Sequence, residues 1–242
     1  MFGILDRLYV MGKKKVFHED IDWRAQITDD NFCESWYCFV PKVVAKKEKI
    51  RKGILPQKGK VSVYTTSYVN LIVPNAIQTR DNLREIYYDS LDRMSEDVEQ
   101  GRKISVLGVS IGNVLSVRLA SEVPYGKLNS LVSIVGGGRL GMSAWDSIAT
   151  KSAAQNSGFS KVEEYEEVLS EFAPIKYLGK IHAERVFARF GSSDLMIRYN
   201  PHGQQLRQGL ENMDSDVKDI KTYLWADHSS TILKASGEEI YR

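Results

Sequence analysis

Apolar and polar positions alternate with two different periods along the second half of the chain. Short apolar runs with the length and composition of buried strands occur at 104–107, 128–135, 186–190 and 220–225. Between runs, apolar residues recur every three or four positions. From Thr79 to Gly101 this spacing predicts an amphipathic helix with Thr79 as its N-cap. The alternation predicts an α/β fold, with a mainly parallel central sheet and helices on both faces.

The first half of the chain follows this pattern less clearly. Residues 34–44 combine aromatic and β-branched side chains up to Pro41, which predicts a buried strand, and residues 60–69 predict a second strand. The basic stretch between them, 46–60, predicts a short solvent-exposed helix. No strand is evident in residues 1–30, so we expect the N-terminal edge of the sheet to be reduced or altered.

Residues 136–179 interrupt the alternation of strands and helices. The segment opens with three glycines and contains two helical patterns but no strand pattern. Each pattern has an apolar stripe, formed in the first by Met142, Trp145, Ile148 and Ala149, and in the second by Phe159, Val162, Tyr165, Leu169 and Phe172. We predict that the segment is a small helical cap on the sheet, within a single domain of residues 1–242.

Composition and charge narrow the class of protein. The 242 residues are 43% hydrophobic and 26% charged, and 33 basic and 31 acidic residues leave a net charge of +2. This balance gives no electrostatic argument for a nucleic-acid partner. No apolar stretch approaches the roughly 20 residues that span a bilayer, so we expect no stable membrane insertion. Residues 1–17 are apolar and then basic, the reverse of a secretory signal, which favours a cytoplasmic location.

Three features of the sequence bear on cofactor or metal binding. Gly136 to Gly141 matches the G-x-G-x-x-G pattern after a strand. A dinucleotide site needs a second strand with an acidic end about 20 residues later, and helices follow here instead. Cys33 and Cys38 are too far apart for a C-x-x-C motif and are expected to be buried thiols. The acidic cluster 163–167 fits a solvated helix face, so we expect no cofactor and no metal.

Ser110 lies between Gly108 and Gly112, after the predicted strand 104–107 and before an apolar helix. A strand, a tight turn with small neighbours and a helix together form the nucleophile elbow, in which a strained backbone holds a serine hydroxyl above the sheet. The N-terminus of the following helix points at developing negative charge. The motif alone is weak evidence, but its position between strand and helix favours a nucleophile.

With this elbow, the chain resembles the α/β-hydrolase superfamily over roughly residues 34–242. That family carries a serine, then an acid, then a histidine, and here Asp194 and His228 each follow one of the late predicted strands. The resemblance implies the α/β-hydrolase fold and a catalytic triad. In it, Ser110 is the nucleophile, His228 the general base and then acid, and Asp194 the residue that orients His228.

Other histidines and acids fit this order less well. His202 follows Asp194 too closely to lie after the last strand. Asp227 adjoins His228, and adjacent side chains of an extended segment point in opposite directions. Asp194 and His228 therefore stand as the predicted partners of the serine.

The resemblance implies a serine hydrolase that cleaves small-molecule carboxylic esters or thioesters through an acyl-enzyme intermediate. It also implies an oxyanion hole, with one N–H from Ile111 and one from the loop after the strand at 36–40. Lys42 or Val43 would donate there, because Pro41 has no N–H. Two alternatives stay open: acyl transfer by the same triad to an acceptor other than water, and a catalytically silent binding protein of this fold.

The cap allows two interpretations. Trp145 or Phe159 could line a pocket for an apolar acyl group, which would favour medium over acetyl chains. Alternatively, both apolar stripes of the cap simply pack on the sheet and on each other. The sequence does not choose between them.

Overall fold

The computed structural model describes residues 18–22, 34–66 and 71–238, and one sheet runs through this part of the chain. Its seven strands are β1 (His18–Asp22), β2 (Glu34–Pro41), β3 (Lys60–Thr66), β4 (Lys103–Val109), β5 (Leu128–Ile134), β6 (His182–Gly191) and β7 (Asp214–Tyr223). Their spatial order is β1-β3-β2-β4-β5-β6-β7. Strand β1 pairs antiparallel with β3, and the other five pairs are parallel. The predicted, mainly parallel sheet is confirmed.

Helices connect the strands. They are α1 (Lys42–Lys46), α2 (Glu48–Ile54), α3 (Ala76–Glu99), α4 (Gly112–Ala120), α5 (Leu140–Asp146), α6 (Lys151–Gln155), α7 (Val162–Leu169), α8 (Gln204–Asn212) and α9 (His228–Ser236). Short 3-10 turns follow α7 at Ser170–Phe172, Pro174–Lys176 and Leu178–Lys180. Among the residues described, no helix is both long and apolar enough to cross a membrane.

Two apolar cores lie on opposite faces of the sheet, as expected for a parallel sheet covered on both sides. The larger core packs α3, α4, α7 and α8 on one face through residues such as Leu83, Leu115 and Leu206. The smaller core packs α1, α2 and α9 on the other through residues such as Val44 and Ile232. Strand β4 contributes to both cores, so the strand that leads to Ser110 lies in the middle of the molecule.

Some element boundaries differ from the predictions. Helix α3 begins at Ala76, and its N-cap is Asn75, whose side chain accepts a hydrogen bond from the N–H of Gln78. Thr79, the predicted cap, is buried one turn inside the helix. The apolar pattern did not show this first turn because its large apolar residue, Ile77, faces solvent.

The two outermost strands of the sheet, β7 and β1, were the hardest elements to predict from the sequence. Strand β7 begins at Asp214, six residues before the predicted start, because its first half is a polar edge strand without an apolar run. At the other edge, β1 lies within the N-terminal segment where no strand was predicted. The predicted end of β3 at 67–69 lies outside the described residues, as do residues 1–17 and Cys33. Cys38 is buried in β2, as expected.

The segment 136–179 contains helices and no strand, as predicted. Three residues of its second stripe, Tyr165, Leu169 and Phe172, are fully buried in the larger core. The first stripe is shorter than predicted, because α5 ends at Asp146 and Ile148 lies beyond it with 68% of its surface exposed. The segment therefore packs on the same core as the helices around it.

Candidate active site

Ser110 occupies a strained turn between β4 and α4. Its φ is 60°, in the left-handed region that non-glycine residues rarely adopt. Its N–H donates to the carbonyl of Ile134 at 2.9 Å. The side-chain amide of Asn113 donates to the carbonyls of both Ser110 and Ile134, at 3.0 and 2.9 Å. These hydrogen bonds to the neighbouring strand hold the serine backbone in this conformation.

The glycines on either side of Ser110 leave room for the elbow to form. A Cβ at Gly108 would lie 2.2 Å from Oγ of Ser116 and 2.6 Å from Cα of Asn113, inside α4. A Cβ at Gly112 would lie 2.1 Å from the carbonyl oxygen of Phe39 in β2. Any larger residue at either position would push the helix away from the sheet. The two glycines are thus explained by close packing of strand and helix.

Asp194 and His228 form a buried pair. Asp194 lies three residues after β6, and His228 is the first residue of α9, after β7. Asp194 Oδ2 lies 2.7 Å from His228 Nδ1, and both residues are less than 10% exposed. Asp194 Oδ1 accepts hydrogen bonds from the N–H groups of Met196 and Ile197, at 2.8 and 2.9 Å. With a proton on Nδ1 to donate to the carboxylate, Nε2 is the ring nitrogen that can accept another proton.

Ser110, Asp194 and His228 all lie at the carboxyl-terminal side of the sheet. Strands β4, β5, β6 and β7 are consecutive and parallel, so their carboxyl ends lie side by side. Ser110 follows β4, while Asp194 and His228 follow β6 and β7. Ser110 and the two residues held by Asp194, Met196 and Ile197, also line the same pocket. The loop that carries the acid thus reaches the surroundings of the serine.

Asp227 and His202, the alternatives to Asp194 and His228, bind to other residues. Asp227 caps α9 by accepting from the N–H of Ser230, and the hydrogen bonds from Ser230 lower the pKa of this exposed carboxyl. His202, which is buried, forms a second histidine–acid pair with the partly exposed Asp146, its Nε2 lying 2.9 Å from Oδ2 of that residue. Nothing in the sequence indicated that second pair, because its members lie 56 residues apart without a shared motif.

A mostly apolar pocket opens beside Ser110. Its apolar walls include Ile72, Ile111, Val114, Leu140, Met196 and Ile197. The space between these walls is about 350 Å³, a value that includes the part open to solvent. The pocket therefore provides apolar contacts next to the Ser110 side chain.

Trp145 and Phe159, the two candidate pocket residues of the cap, pack against the larger core. Their rings pack on Tyr165, with centroid distances of 5.7 and 6.3 Å. Both are partly buried against the larger core, and neither is among the residues that line the pocket beside Ser110. This arrangement corresponds to the second interpretation of the cap, in which its apolar stripes serve packing.

Comparison with solved structures identifies the architecture. Acetyl xylan esterase 1 of Thermoanaerobacterium sp. is similar with a TM-score of 0.61 and 15% identity, covering 90% of this chain and 78% of that one. A lipase-esterase related protein of Clostridium acetobutylicum has a TM-score of 0.53 and 12% identity, with 92% and 96% coverage. An acylaminoacyl peptidase of Pyrococcus horikoshii has a TM-score of 0.59 and 11% identity, with 90% and 36% coverage. The chain has the α/β-hydrolase fold.

The α/β-hydrolase fold is the fold that the elbow and the order of the site residues implied, and this prediction is confirmed. At these identities the likeness concerns the fold alone. The chain spans only about a third of the length of the peptidases it matches, between 32% and 36%. No protein-family model matches the sequence, and no curated protein is significantly similar to it.

In an α/β-hydrolase fold the predicted oxyanion-hole donors belong beside the elbow. Ile111 directly follows Ser110, lines the pocket and precedes the first turn of α4, where N–H groups lack acceptors within the helix. Lys42 and Val43 are the first residues of α1, immediately after β2. Phe39 of β2 pairs with Gly108 of β4, so β2 ends at the same edge as the elbow. The assignment of these donors stays a prediction.

Proposed function

We propose that this chain is a serine hydrolase that cleaves carboxylic esters or thioesters through an acyl-enzyme intermediate. Ser110 is the nucleophile, His228 the general base and then acid, and Asp194 the residue that orients His228. The observation that carries the proposal is the 2.7 Å contact between Asp194 and His228, at the sheet edge where Ser110 has a φ of 60°. A serine in an ordinary turn requires neither a strained backbone nor a buried histidine–carboxylate pair at the same edge.

The proposed reaction uses each group in turn. Oγ of Ser110 attacks the acyl carbonyl while Nε2 of His228 takes the hydroxyl proton, and Asp194 stabilises the imidazolium through Nδ1. The N–H of Ile111 donates to the oxyanion of the tetrahedral intermediate. Collapse of this intermediate expels the alcohol or thiol, which receives the proton from His228. Water, deprotonated by His228, then attacks the acyl-serine and releases the carboxylic acid and free Ser110.

We infer a preference for a short apolar acyl chain from the apolar walls beside Ser110. Each methylene buried against the apolar walls contributes about 0.8 kcal/mol, which corresponds to about a fourfold gain in kcat/KM per carbon if the transition state retains the contact. The gain stops when the chain fills the pocket. Among the similar structures are esterases and peptidases, so esters, thioesters and amides all belong in the test.

The test is a screen of p-nitrophenyl esters, acyl thioesters and acyl p-nitroanilides from two to ten carbons. We expect ester or thioester hydrolysis that rises from acetyl to a chain of intermediate length and then falls, and that disappears in Ser110→Ala. Hydrolysis that persists in folded Ser110→Ala would assign the activity to another group. A folded wild type with no activity on the whole panel would favour the silent binding protein.

A further inference from the structure

One polar side chain in the pocket beside Ser110 has no partner in the described part of the chain. Besides Ser110, three hydroxyl side chains line the pocket: Ser143, Ser147 and Thr150. Oγ1 of Thr150 donates to the carbonyl of Ala144 at 2.8 Å. Oγ of Ser147 accepts from the N–H of Ala149 at 3.1 Å. Oγ of Ser143 is buried and lacks a hydrogen-bond partner among the described residues.

Ser143 forms part of the pocket wall. Ser143 lies on α5 and is 7% exposed. Its Oγ lies beside Gly137, where a Cβ would come within 2.6 Å of that oxygen and within 3.0 Å of Cγ2 of Ile197. Gly137 and Ile197 both line the pocket. The hydroxyl is therefore buried in the pocket wall next to Gly137, where a donor without an acceptor is unfavourable and a small rotation of the side chain would turn it toward a bound group.

We propose that Ser143 donates a hydrogen bond to an oxygen within the acyl group of the substrate. This inference rests on the proposed function and narrows its substrate class, from any short acyl chain to short acyl chains that carry an ether, carbonyl or hydroxyl oxygen. A purely aliphatic chain would leave the Ser143 hydroxyl desolvated and unpaired. Sites built to hydrogen-bond a substrate discriminate against analogues that lack the partner atom.

Matched substrate pairs isolate this hydrogen bond. The p-nitrophenyl esters of methoxyacetate and butanoate differ only in one ether oxygen that replaces a methylene. The pairs 3-methoxypropanoate/pentanoate and 4-methoxybutanoate/hexanoate move that oxygen one and two positions deeper. For each pair, the ratio of kcat/KM for the ether ester to that for the aliphatic ester is measured in wild type, Ser143→Ala and Ser147→Ala. Comparing this ratio between enzymes cancels the higher intrinsic reactivity of the ether esters.

We expect the ratio for at least one pair to fall about three- to tenfold in Ser143→Ala, the effect of one net hydrogen bond. Ser147→Ala, which removes a pocket hydroxyl that already has a partner, should keep the wild-type ratio. Should Ser143→Ala not fold, Ser143→Cys replaces it, because a thiol is a weak donor of similar shape.

The outcomes separate this inference from the proposed function. Hydrolysis of the esters with an unchanged ratio in all three pairs would overturn the role of Ser143 and leave the serine hydrolase intact. An equal fall of the ratio in Ser147→Ala would also overturn it, since the effect would then belong to general polarity of the pocket. If the folded wild type hydrolyses thioesters only, the same three pairs are compared as thioesters. A folded wild type that hydrolyses neither form would overturn both.

Discussion

Three non-glycine residues in the described part of the chain have a positive φ: Ser110 at 60°, Val135 at 51° and Trp225 at 59°. Each lies at or just beyond the carboxyl end of a parallel strand, namely β4, β5 and β7. Such conformations are costly for residues with a Cβ and persist only where the surroundings enforce them. Backbone strain is therefore concentrated at the carboxyl-terminal side of the sheet, where the proposed triad lies.

At the scale of single residues, a substitution of Asp194 tests the proposed triad. Asp194→Asn should lower kcat severely, by up to about 10⁴-fold as in well-studied triads, because an amide at this position favours the wrong tautomer of His228. The fold should stay intact, since an asparagine oxygen can still accept from the N–H groups of Met196 and Ile197. Steady-state kinetics and circular dichroism check both expectations.

Asp227→Asn is the matched control for this substitution. Asp227 adjoins His228 but faces solvent and caps α9, a role that asparagine also performs well. Its kcat should change less than about threefold. If Asp227→Asn lost activity while Asp194→Asn kept it, Asp194 would not be the carboxylate that orients His228.

The sequence predicted some residues of the site and not others, for a physical reason. Asp194 and His228 could be predicted because the superfamily that the sequence resembles has an acid and a histidine after particular strands, and the structure brings these two side chains into contact. Ser143 carried no signal, because a pocket hydroxyl becomes visible only once its neighbours are placed. Trp145 and Phe159 were predicted as pocket candidates because an apolar stripe identifies a buried face without showing which surface covers it.

At the scale of elements, the elbow depends on how closely α4 approaches β2 and β4. Gly112→Ala should destabilise the protein by about 1–3 kcal/mol or more, because the new Cβ would lie 2.1 Å from the carbonyl oxygen of Phe39. Gly179→Ala is the control, since no atom lies within 4 Å of a Cβ there. Urea denaturation should show a lower midpoint for the first variant only. Equal midpoints would mean that the close contact of strand and helix does not constrain the elbow.

Elements buried in the middle of the fold were the most predictable. The runs that became β4 and β5 are apolar because both of their faces are covered, so they stand out in the sequence. Strand β7 has one polar, exposed edge and was predicted from its second half only. The order of strands in the sheet has no local signature, because hydrophobic periodicity reports the burial of a strand and not the identity of its neighbours.

At the scale of the whole molecule, a buried arginine ties the C-terminal end of α9 to the sheet. Arg189 of β6 is fully buried and donates to Glu238 through Nε at 2.8 Å and to Asp219 of β7 through Nη2 at 2.6 Å. The hydroxyl of Tyr223 also donates to Glu238. Glu238 lies just beyond the helix that begins with His228. This network connects β6, β7 and the end of α9, and the single domain of residues 1–242 stays a prediction.

The network predicts a pH-dependent contribution to stability. Burial alone would raise the pKa of Glu238, but hydrogen bonds from Arg189 and Tyr223 and the charge of Arg189 outweigh it and hold this pKa below the ordinary value of 4.5. A carboxyl with a lowered pKa in the folded state stabilises the protein above its ordinary pKa, and the contribution is lost as the pH falls through the lowered value. Glu238→Gln should therefore lower Tm by several degrees at pH 7, and this difference should shrink as the pH falls below 4.5.

Thermal unfolding of wild type and Glu238→Gln from pH 2.5 to 7 measures this difference. The exposed Glu167 of α7 supplies the control, and Glu167→Gln should follow the wild-type curve throughout. A Tm difference that is constant with pH would show that Glu238 acts through packing and not through its charge.

The central claim is that Ser110 is a nucleophile activated by His228, and labelling with a fluorophosphonate probe tests it most directly. Mass spectrometry of the labelled wild type should place the adduct on Ser110. Ser110→Ala should not react, and His228→Ala should react at least about a hundredfold more slowly, since general-base assistance typically contributes 10² or more. Labelling of another residue, labelling that is equally fast without His228, or no labelling of the folded wild type would contradict the account.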